Sequence, residues 1–377
     1  MNGLQSENAF SIPLRRRLIR LAGLLVLGCG VSVSPYVLAH DASPPPAESP
    51  SETSPPESSQ QLILVIGAPG TEEYGTNFKT WAARWKEAAQ REGITCTVIG
   101  KSESEPSASA TPAATPEPAA APASLAEETD AAKLIHAMES LSSSKSSEPL
   151  WIVYLGHGTF DGRTASWNLH GPDITAEELA TACQKLERPL ATVVCSSCSA
   201  PFINVLSGPD RIVVTATKDG NQIQYSRFGD AMSTAISTLE ADINRDGQTS
   251  LLEAWLFASR RTAEFYKTEG RLATEHSLLD DNGDGKGVRS ELYVGDRIAE
   301  NAETPDLIDG RNAARWHFVR SDEERRLTSE QRERRDELEA QLEDLRKNKS
   351  SLPEEDYLKQ LEAVALQLAE IYEASGK

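Results

Sequence analysis

The sequence predicts an α/β fold with a mostly parallel sheet and helices on both of its faces. Continuous apolar runs of five or six residues recur along the chain, as is typical of strands that are covered on both sides. Between these runs lie segments whose apolar residues repeat at intervals of three and four, as in amphipathic helices. Strands that alternate with helices favour a parallel sheet, because each crossover helix returns the chain to the same end of the sheet.

The first strand and helix illustrate both patterns. The run Leu62–Gly67 predicts a buried strand. Phe78, Trp81 and Trp85 then share one face of a predicted helix, which Gly93 ends. Further strands are predicted at Ile94–Ile99, Leu150–Leu155, Leu190–Val194 and Ile212–Ala216, and further helices at Leu125–Leu141, Thr175–Leu186 and Phe228–Leu239. These elements define a predicted α/β domain over residues 61–240.

Two segments rich in Pro and Ser are predicted to be disordered, because they cannot bury enough apolar surface to fold. One is a linker over residues 40–60, and the other is an Ala-Pro-Ser insertion over residues 101–124. The linker follows a predicted export signal, residues 1–39, in which the basic stretch Arg15–Arg20 precedes an apolar run. We therefore expect an exported protein, located in the periplasm, in the cell envelope or outside the cell. A lipoprotein modified at Cys29 and an uncleaved anchor are alternatives.

The composition restricts the partners. The chain has 377 residues and a formal net charge of -19. Nucleic acids and anionic membranes attract clustered Lys and Arg, so this charge argues against binding to either. Acidity of this degree is compatible with cation binding.

Two reactive side chains follow predicted neighbouring strands. His157 comes after the strand that ends at Leu155, and Cys198 comes after the strand that ends at Val194. Loops at the carboxyl ends of parallel strands line the crevice where ligands bind. An imidazole that accepts the proton of a thiol makes that thiol a nucleophile, so the pair predicts a His-Cys dyad. The backbone N–H of Gly158 is placed to hold an oxyanion.

These residues resemble a known family. Tyr154–Gly158, Val194–Phe202 and Arg211–Thr217 are similar to the legumain-type branch of the caspase-like cysteine peptidases. The resemblance implies a caspase-haemoglobinase fold over roughly residues 62–239. It also implies that His157 is the general base, that Gly158 contributes to the oxyanion site, and that the function is that of a cysteine endopeptidase acting on peptide or protein substrates.

The nucleophile can be matched to the family in two registers. If cysteine is aligned with cysteine, Cys198 is the nucleophile, but Ser199–Pro201 then stands where the family has any residue followed by Ser-Gly. If Ser199–Ala200 is aligned with Ser-Gly, Ser197 takes the nucleophile position and the thiol is lost. Cys195 is a further alternative position.

Three functions therefore stay open at this point. The first is the peptidase that uses His157 and Cys198. The second is a catalytically inactive caspase-like protein that binds calcium or acts as a scaffold. The third is a thiol oxidoreductase of the cell envelope that uses Cys195 and Cys198 as a redox pair. For the substrate specificity of a peptidase, Arg163 and Asp219 are candidate residues, and no spacing rule selects between them.

Residues 242–253 fit the twelve-residue calcium loop of an EF-hand, with Gly at position six and Glu at position twelve. A second, weaker copy starts 38 residues later. Acid-rich surface turns that bind no metal are the alternative for both. The predicted Ca²⁺ ligands are Asp242, Asn244, Asp246, Gln248 and Glu253 in the first loop, and Asp280, Asn282, Asp284, Lys286 and Glu291 in the second. The two loops define a predicted extension over residues 241–320.

The last predicted unit is a helical hairpin over residues 321–377. Leu338, Leu342 and Leu345 form one apolar seam, and a second seam follows Pro353, a residue that is favoured at the start of a helix. Such seams pack against the preceding domain or against another helix. We therefore predict a helix-helix partner or self-association through residues 329–372.

Overall fold

The computed structural model of the protein describes residues 60–100, 128–143, 145–299 and 308–375. The predicted export signal, the predicted linker up to residue 59 and the predicted insertion 101–124 lie outside the described residues. Within the described ranges, no helix combines the length and the apolar character needed to cross a lipid bilayer.

A six-stranded sheet forms the centre of the molecule. Its strand order is β2-β1-β3-β7-β8-β9, and the first five strands are parallel while β9 is antiparallel to β8. The strands are β1 (Gln61–Ile66), β2 (Thr95–Ile99), β3 (Leu150–Leu155), β7 (Leu190–Cys195), β8 (Arg211–Thr215) and β9 (Leu278–Asp280). The predicted fold class, α/β with a mostly parallel sheet, is confirmed.

Helices cover both faces of this sheet. The first face carries α1, α5 and α6, which share one apolar core with the inward side chains of the strands. The second face carries α2, α3 and α4 around a separate core. The helices are α1 (Glu72–Arg91), α2 (Asp130–Ser142), α3 (Ala176–Cys183), α4 (Ile203–Leu206), α5 (Phe228–Ser237) and α6 (Leu251–Thr268).

Several short strands were not predicted from the sequence. The strands β4 (Gly158–Phe160), β5 (Ala165–Trp167) and β6 (Ile174–Thr175) form a small antiparallel sheet directly after His157. A second ribbon joins β10 (Tyr293–Val294) and β11 (Arg297–Ile298). Strands of two or three residues are too short to show a period, so the sequence pattern carries no signal for them.

The segment predicted as a separate extension contributes to the central fold. Strand β9 comes from this segment and closes one edge of the sheet. Helix α6 packs in the same core as α5, on the other side of the predicted boundary at residue 240. The rings of Trp316 and Phe318 pack edge-on against Trp151 and Trp85 of the main domain. The described parts of this segment, residues 241–299 and 308–320, therefore share the core of the domain that precedes them.

The C-terminal helices lie beside the domain. The short α7 (Asp322–Arg325) leads into α8 (Ser329–Lys347) and α9 (Glu354–Ser375), which share a small apolar cluster that includes Leu338 and Leu368. A buried carboxylate of the main domain, Glu148, pairs with Arg320 and Arg332. Burial opposes ionisation of Glu148, yet the two guanidinium groups hold the pKa of its carboxyl below the usual value.

Candidate functional site

The strand order predicts a crevice at the carboxyl ends of β1 and β3. The chain continues from β1 to β2 on one side and from β3 to β7 on the other, so the order reverses between β1 and β3. Loops that leave adjacent strands in opposite directions open a crevice at such a switch point. The turns after β1, β3 and β7 meet there and carry Pro69, His157 and Ser197–Cys198 respectively.

The imidazole of His157 is oriented by a main-chain carbonyl. Its Nε2 lies 3.0 Å from the carbonyl oxygen of Pro69, in the turn after β1. A carbonyl oxygen only accepts, so Nε2 carries the proton and Nδ1 is the basic nitrogen of the neutral ring. Sequence reasoning missed Pro69 because it contributes through its backbone. The turn Gly67–Gly70 after an apolar strand was its only signal.

Aromatic rings surround the imidazole. The ring centroids of Tyr74 and Phe78 lie 5.1 and 5.4 Å from that of His157, both in edge-to-face geometry. The Tyr225 ring, at 6.1 Å, closes a further side. Edge-to-face packing at these distances fixes the orientation of the ring as well as its position.

The backbone of His157 is equally restrained. Its carbonyl oxygen accepts a hydrogen bond from the Tyr154 hydroxyl at 2.5 Å and another from the Asn168 N–H at 3.0 Å. Tyr154 is fully buried and stacks on Trp167 with ring centroids 4.5 Å apart. Burial raises the pKa of the Tyr154 hydroxyl, which therefore remains a donor at neutral pH.

Ser197 occupies both polar groups of Gly158. The Gly158 N–H donates to Ser197 Oγ at 3.2 Å, and Ser197 Oγ donates to the Gly158 carbonyl at 3.0 Å. The two turns approach so closely that a Cβ on Gly158 would lie 2.4 Å from the Ser197 carbonyl oxygen. Ser197 is buried. The amide predicted to hold an oxyanion is therefore occupied by this hydroxyl.

The Cys198 side chain contacts both Ser197 and the loop that carries Gln222. Its φ of 53° lies in the left-handed region, which is uncommon for a residue with a side chain. Its N–H donates to the Gln222 carbonyl at 3.0 Å, and its Sγ lies 3.9 Å from the same oxygen. The side chain is 1% exposed. Burial and the nearby charge of Asp219 raise the pKa of the thiol, against a smaller opposite effect of Ser197.

Cys195 is buried in the sheet. It is the last residue of β7, pairs with Leu155 of β3 and is fully inaccessible to solvent. Burial and the charge of Glu275 raise the pKa of its thiol. Cys195 and Cys198 are both free thiols. Redox pairs depend on an accessible thiol with a lowered pKa, and neither cysteine has these properties.

The remaining serines of the turn differ from each other. Ser199 Oγ accepts from the N–H groups of Ala216 and Thr217, both at 3.0 Å, and so ties the turn to the end of β8. Ser196 Oγ is buried and has no hydrogen-bond partner among the described residues. In the part of the chain that the structure describes, no hydrogen bond joins the His157 ring to Ser197, Cys198 or Cys195.

The two candidate specificity residues line a half-open cavity of about 480 Å³. The cavity lies between the small sheet and the loops after β7 and β8. Phe160 and Ile203 supply apolar surface. A volume of this size suits a small ligand or a few side chains of a peptide.

In the first predicted calcium loop, the acidic side chains fold back onto the loop. Asp242 accepts from the N–H groups of Asp246 at 3.1 Å and Gly247 at 3.0 Å. Arg245 and Gly247 adopt positive φ angles of 60° and 89°, which reverse the chain here. The loop lies between α5 and α6, as predicted.

The last predicted ligand of the first loop, Glu253, is used by the backbone. One of its carboxylate oxygens accepts from the N–H groups of Ile243 at 3.0 Å and Asn244 at 3.1 Å, while the other caps α6 through Ser250. Burial raises the pKa of Glu253. Gln248 is also buried, and its side-chain oxygen accepts from the Ser321 N–H at 3.1 Å.

The second predicted loop has a different setting. Asp280 ends strand β9, so this loop follows a strand where an EF-hand has a helix. Asp280 accepts from the Ser207 hydroxyl at 2.9 Å, and Asn282 accepts from the Asp284 N–H at 2.9 Å. Glu291 pairs with Arg289 at the surface. The side chain of Lys286 is cationic and offers no ligand oxygen; at this position of an EF-hand loop the ligand is the main-chain carbonyl.

No group of three or more His, Cys, Asp or Glu side chains within the described ranges is arranged to hold a metal ion. In both loops, predicted carboxylate ligands accept hydrogen bonds from backbone N–H groups, a hydroxyl or an arginine, but the buried Oδ2 of Asp280 has no hydrogen-bond partner among the described residues. Calcium binding therefore remains a prediction from the sequence.

A search of protein-family models returned no match to this chain, and a search of curated proteins returned none either. Solved structures overlap with it at low similarity. The Drosophila initiator caspase Dronc is 14% identical, with a TM-score of 0.38, and the overlap covers 69% of this chain and 98% of Dronc. Pro-sf-caspase-1 is 11% identical, with a TM-score of 0.32 and coverage of 55% and 82%. GSU0716 from Geobacter sulfurreducens is 10% identical, with a TM-score of 0.35 and coverage of 61% and 97%. TM-scores this low do not establish a shared activity.

Proposed function

We propose that the protein is a catalytically silent member of the caspase-like architecture that acts by binding. One observation carries this proposal: Ser197 Oγ is held between the N–H and the carbonyl of Gly158, at 3.2 and 3.0 Å. The hydroxyl and the amide that an acyl transfer would need are thus bonded to each other. Among the described residues, Ser197 Oγ has no basic nitrogen as its hydrogen-bond partner, and a serine nucleophile requires one.

The thiols support the same proposal. A cysteine nucleophile reacts as the thiolate, which burial disfavours at Cys198 and at Cys195. The Cys198 thiol contacts the Gln222 carbonyl and the Ser197 side chain, and neither group is a base that takes a proton from it. The cleft keeps the surroundings of a peptidase site without an activated nucleophile.

The test measures peptide hydrolysis and the reaction of the turn Ser196–Ser199 with covalent probes. We expect purified protein to hydrolyse no peptide from a positionally scanned library and to resist acyloxymethyl-ketone and vinyl-sulfone probes, with and without calcium. Each negative result is compared with a Ser197→Cys variant as the positive control, because this change places a thiol beside the Gly158 N–H group. Probe labelling of the wild-type protein that disappears in Cys198→Ala would overturn the proposal.

The alternative is a peptidase that uses Cys198 and His157, and one observation favours it. The Pro69 carbonyl orients His157 with Nδ1 as the basic nitrogen, which is the third-group role that a catalytic histidine needs. For an enzyme of this kind, Cys198→Ala and His157→Ala would each abolish hydrolysis. Equal hydrolysis by both variants and the wild type would assign the activity to a contaminant.

We also propose that the first acidic loop, residues 242–253, binds Ca²⁺. The twelve-residue pattern and the reversal at Arg245 and Gly247 support the proposal. Isothermal titration at neutral pH is expected to give one binding event that Asp242→Ala removes and that Asp284→Ala, in the second loop, leaves unchanged. Absence of heat up to about 1 mM calcium, the weak end of such loops, would contradict the proposal.

A further inference from the structure

One loop contacts both halves of the site. Residues Lys218–Arg227, which we name the cover loop, follow β8 and cross the carboxyl edge of the sheet. At its centre, the Gln222 carbonyl accepts the N–H of Cys198 at 3.0 Å and lies 3.9 Å from its Sγ. This N–H points to the same side of the turn as the thiol. The cover loop thereby contributes to the burial of Cys198, which is 1% exposed.

The same loop closes the side of His157. Tyr225 stacks on Tyr74 of α1 with centroids 4.2 Å apart and an interplanar angle of 12°. Its hydroxyl accepts a hydrogen bond from the Asn77 side chain at 3.0 Å, and its ring lies 6.1 Å from the imidazole. The stack bridges α1 and the cover loop across the crevice between β1 and β3.

Two side chains hold the cover loop in place. Within and beside the loop, the Gln222 side-chain oxygen accepts from the Lys218 N–H at 2.9 Å and the His276 N–H at 3.2 Å, and its amide donates to His276 Nδ1 at 2.7 Å. At the end of the loop, the buried carboxylate of Glu275 accepts from Ser226 Oγ at 2.8 Å and from the Arg227 N–H at 3.0 Å.

The tip of the cover loop buries little apolar surface. Ile223, next to Gln222, is 67% exposed. A segment that is held mainly by a few polar contacts opens at a lower free energy than the packed core beneath it. The core strand β7 is by contrast buried along its whole length.

We propose that the cover loop is a lid over a peptide-docking cleft, latched by Gln222 and Glu275. The Gln222 carbonyl takes the place that the main-chain carbonyl of a bound, extended peptide would take on the Cys198 N–H. Opening the lid frees that donor, the Cys198 thiol and the face of His157 together. The inference rests on the proposed binding function and adds the class of ligand, an extended peptide, and the place where it docks.

The rate of Cys198 alkylation tests the lid. N-ethylmaleimide is added to the native full chain, and each cysteine is followed by mass spectrometry. We expect Cys198 to react more slowly than the half-buried Cys96, and Gln222→Ala to raise its rate by about tenfold or more, because the latch contacts are lost. The matched control Gln224→Ala, in the same loop and exposed, is expected to leave the rate unchanged.

Two further measurements keep the test decisive. Alkylation of the fully buried Cys195 reports global unfolding. If Cys195 reacts in the Gln222→Ala variant, the Tyr225→Leu variant is used in its place, because it loosens the other end of the lid. Hydrogen exchange at the Cys198 amide is expected to accelerate in the same variants while β7 amides stay protected. An unchanged Cys198 rate in folded Gln222→Ala and Tyr225→Leu overturns the lid.

A ketone probe applied to the same variants distinguishes failure of the lid from failure of the proposed function. If the opened variants react with maleimide but not with a peptide-directed ketone probe, the lid and the silent site are both supported. If the ketone probe labels Cys198 in the opened variants, the lid stands and the proposed absence of catalysis fails.

Discussion

The loop that carries His157 and the turn Ser196–Ser199 face each other across β3 and β7, and they use their polar groups differently. The His157 ring is oriented by Pro69, and its Nδ1 has no hydrogen-bond partner among the described residues. In the turn, the Ser197 hydroxyl and the Cys198 N–H are both bonded within the protein. One side is arranged as a catalytic base is, while the other is arranged as a structural turn. An oriented histidine is therefore weak evidence for catalysis until its partner has been found.

The largest effect is expected where the two sides touch. Gly158→Ala adds a Cβ that would lie 2.4 Å from the Ser197 carbonyl oxygen and 3.0 Å from Ser196 Oγ. Backbone cannot yield as a flexible side chain does, so we expect a loss of about 3 kcal/mol in the free energy of unfolding, measured with urea. Gly75→Ala, in α1 with only ordinary contacts to Pro69, serves as the control. Equal stability of the two variants would show that the two turns are not tightly apposed.

The next effect separates two adjacent serines. Ser197→Ala leaves the buried N–H and carbonyl of Gly158 without their partner, and we expect it to cost about 1–3 kcal/mol in urea unfolding. Ser196→Ala removes a buried hydroxyl that has no hydrogen-bond partner among the described residues, and we expect no loss of stability. If Ser196→Ala were the more damaging change, the hydroxyl that joins the two turns would have been misassigned.

A smaller effect concerns the pH dependence of the lid anchor. Burial raises the pKa of Glu275 above its usual 4.5, so the folded state binds a proton more tightly than the unfolded state does. The free energy of unfolding should then decrease as the pH rises from about 4.5 through the raised pKa. We expect Glu275→Gln to flatten this slope in a series of urea titrations. A slope identical to that of the wild type would assign it to other groups.

The smallest effect is kinetic and lies in the turn. Burial and the charge of Asp219 raise the pKa of Cys198 above its ordinary value of 9.0. We expect the pH midpoint of its alkylation to lie above 9.0 in the native protein and to fall when Asp219→Asn removes the neighbouring charge. A midpoint below 9.0 would indicate an activated thiol and would favour the peptidase.

The sequence predicts the parts of this site that are encoded in long patterns. The apolar runs before His157 and Cys198 predict β3 and β7, and parallel strands bring their carboxyl ends to one edge. The choice between Ser197 and Cys198 could not be predicted, because it depends on the positive φ of Cys198, which turns that side chain towards Gln222. The sequence has no pattern that reports this dihedral angle.

Contacts made by the backbone and by distant loops were equally hidden. Pro69 and Gln222 act on the site through carbonyl oxygens, which every residue has, so their identity gives no signal. Strand β9 is three residues long and overlaps the second acidic loop at Asp280. The acidic pattern predicted a loop that starts at Asp280, whereas Asp280 pairs with β8 and belongs to the strand.

The ion pairs of Glu148 bear on the order in which the chain is made. Glu148 precedes β3, whereas its partners Arg320 and Arg332 emerge from the ribosome more than 170 residues later. A carboxylate buried without its partners is costly, so the strand that leads to His157 cannot reach its final charge balance during the early part of synthesis. The charge balance at the start of β3 is therefore complete only after the last quarter of the chain has been made.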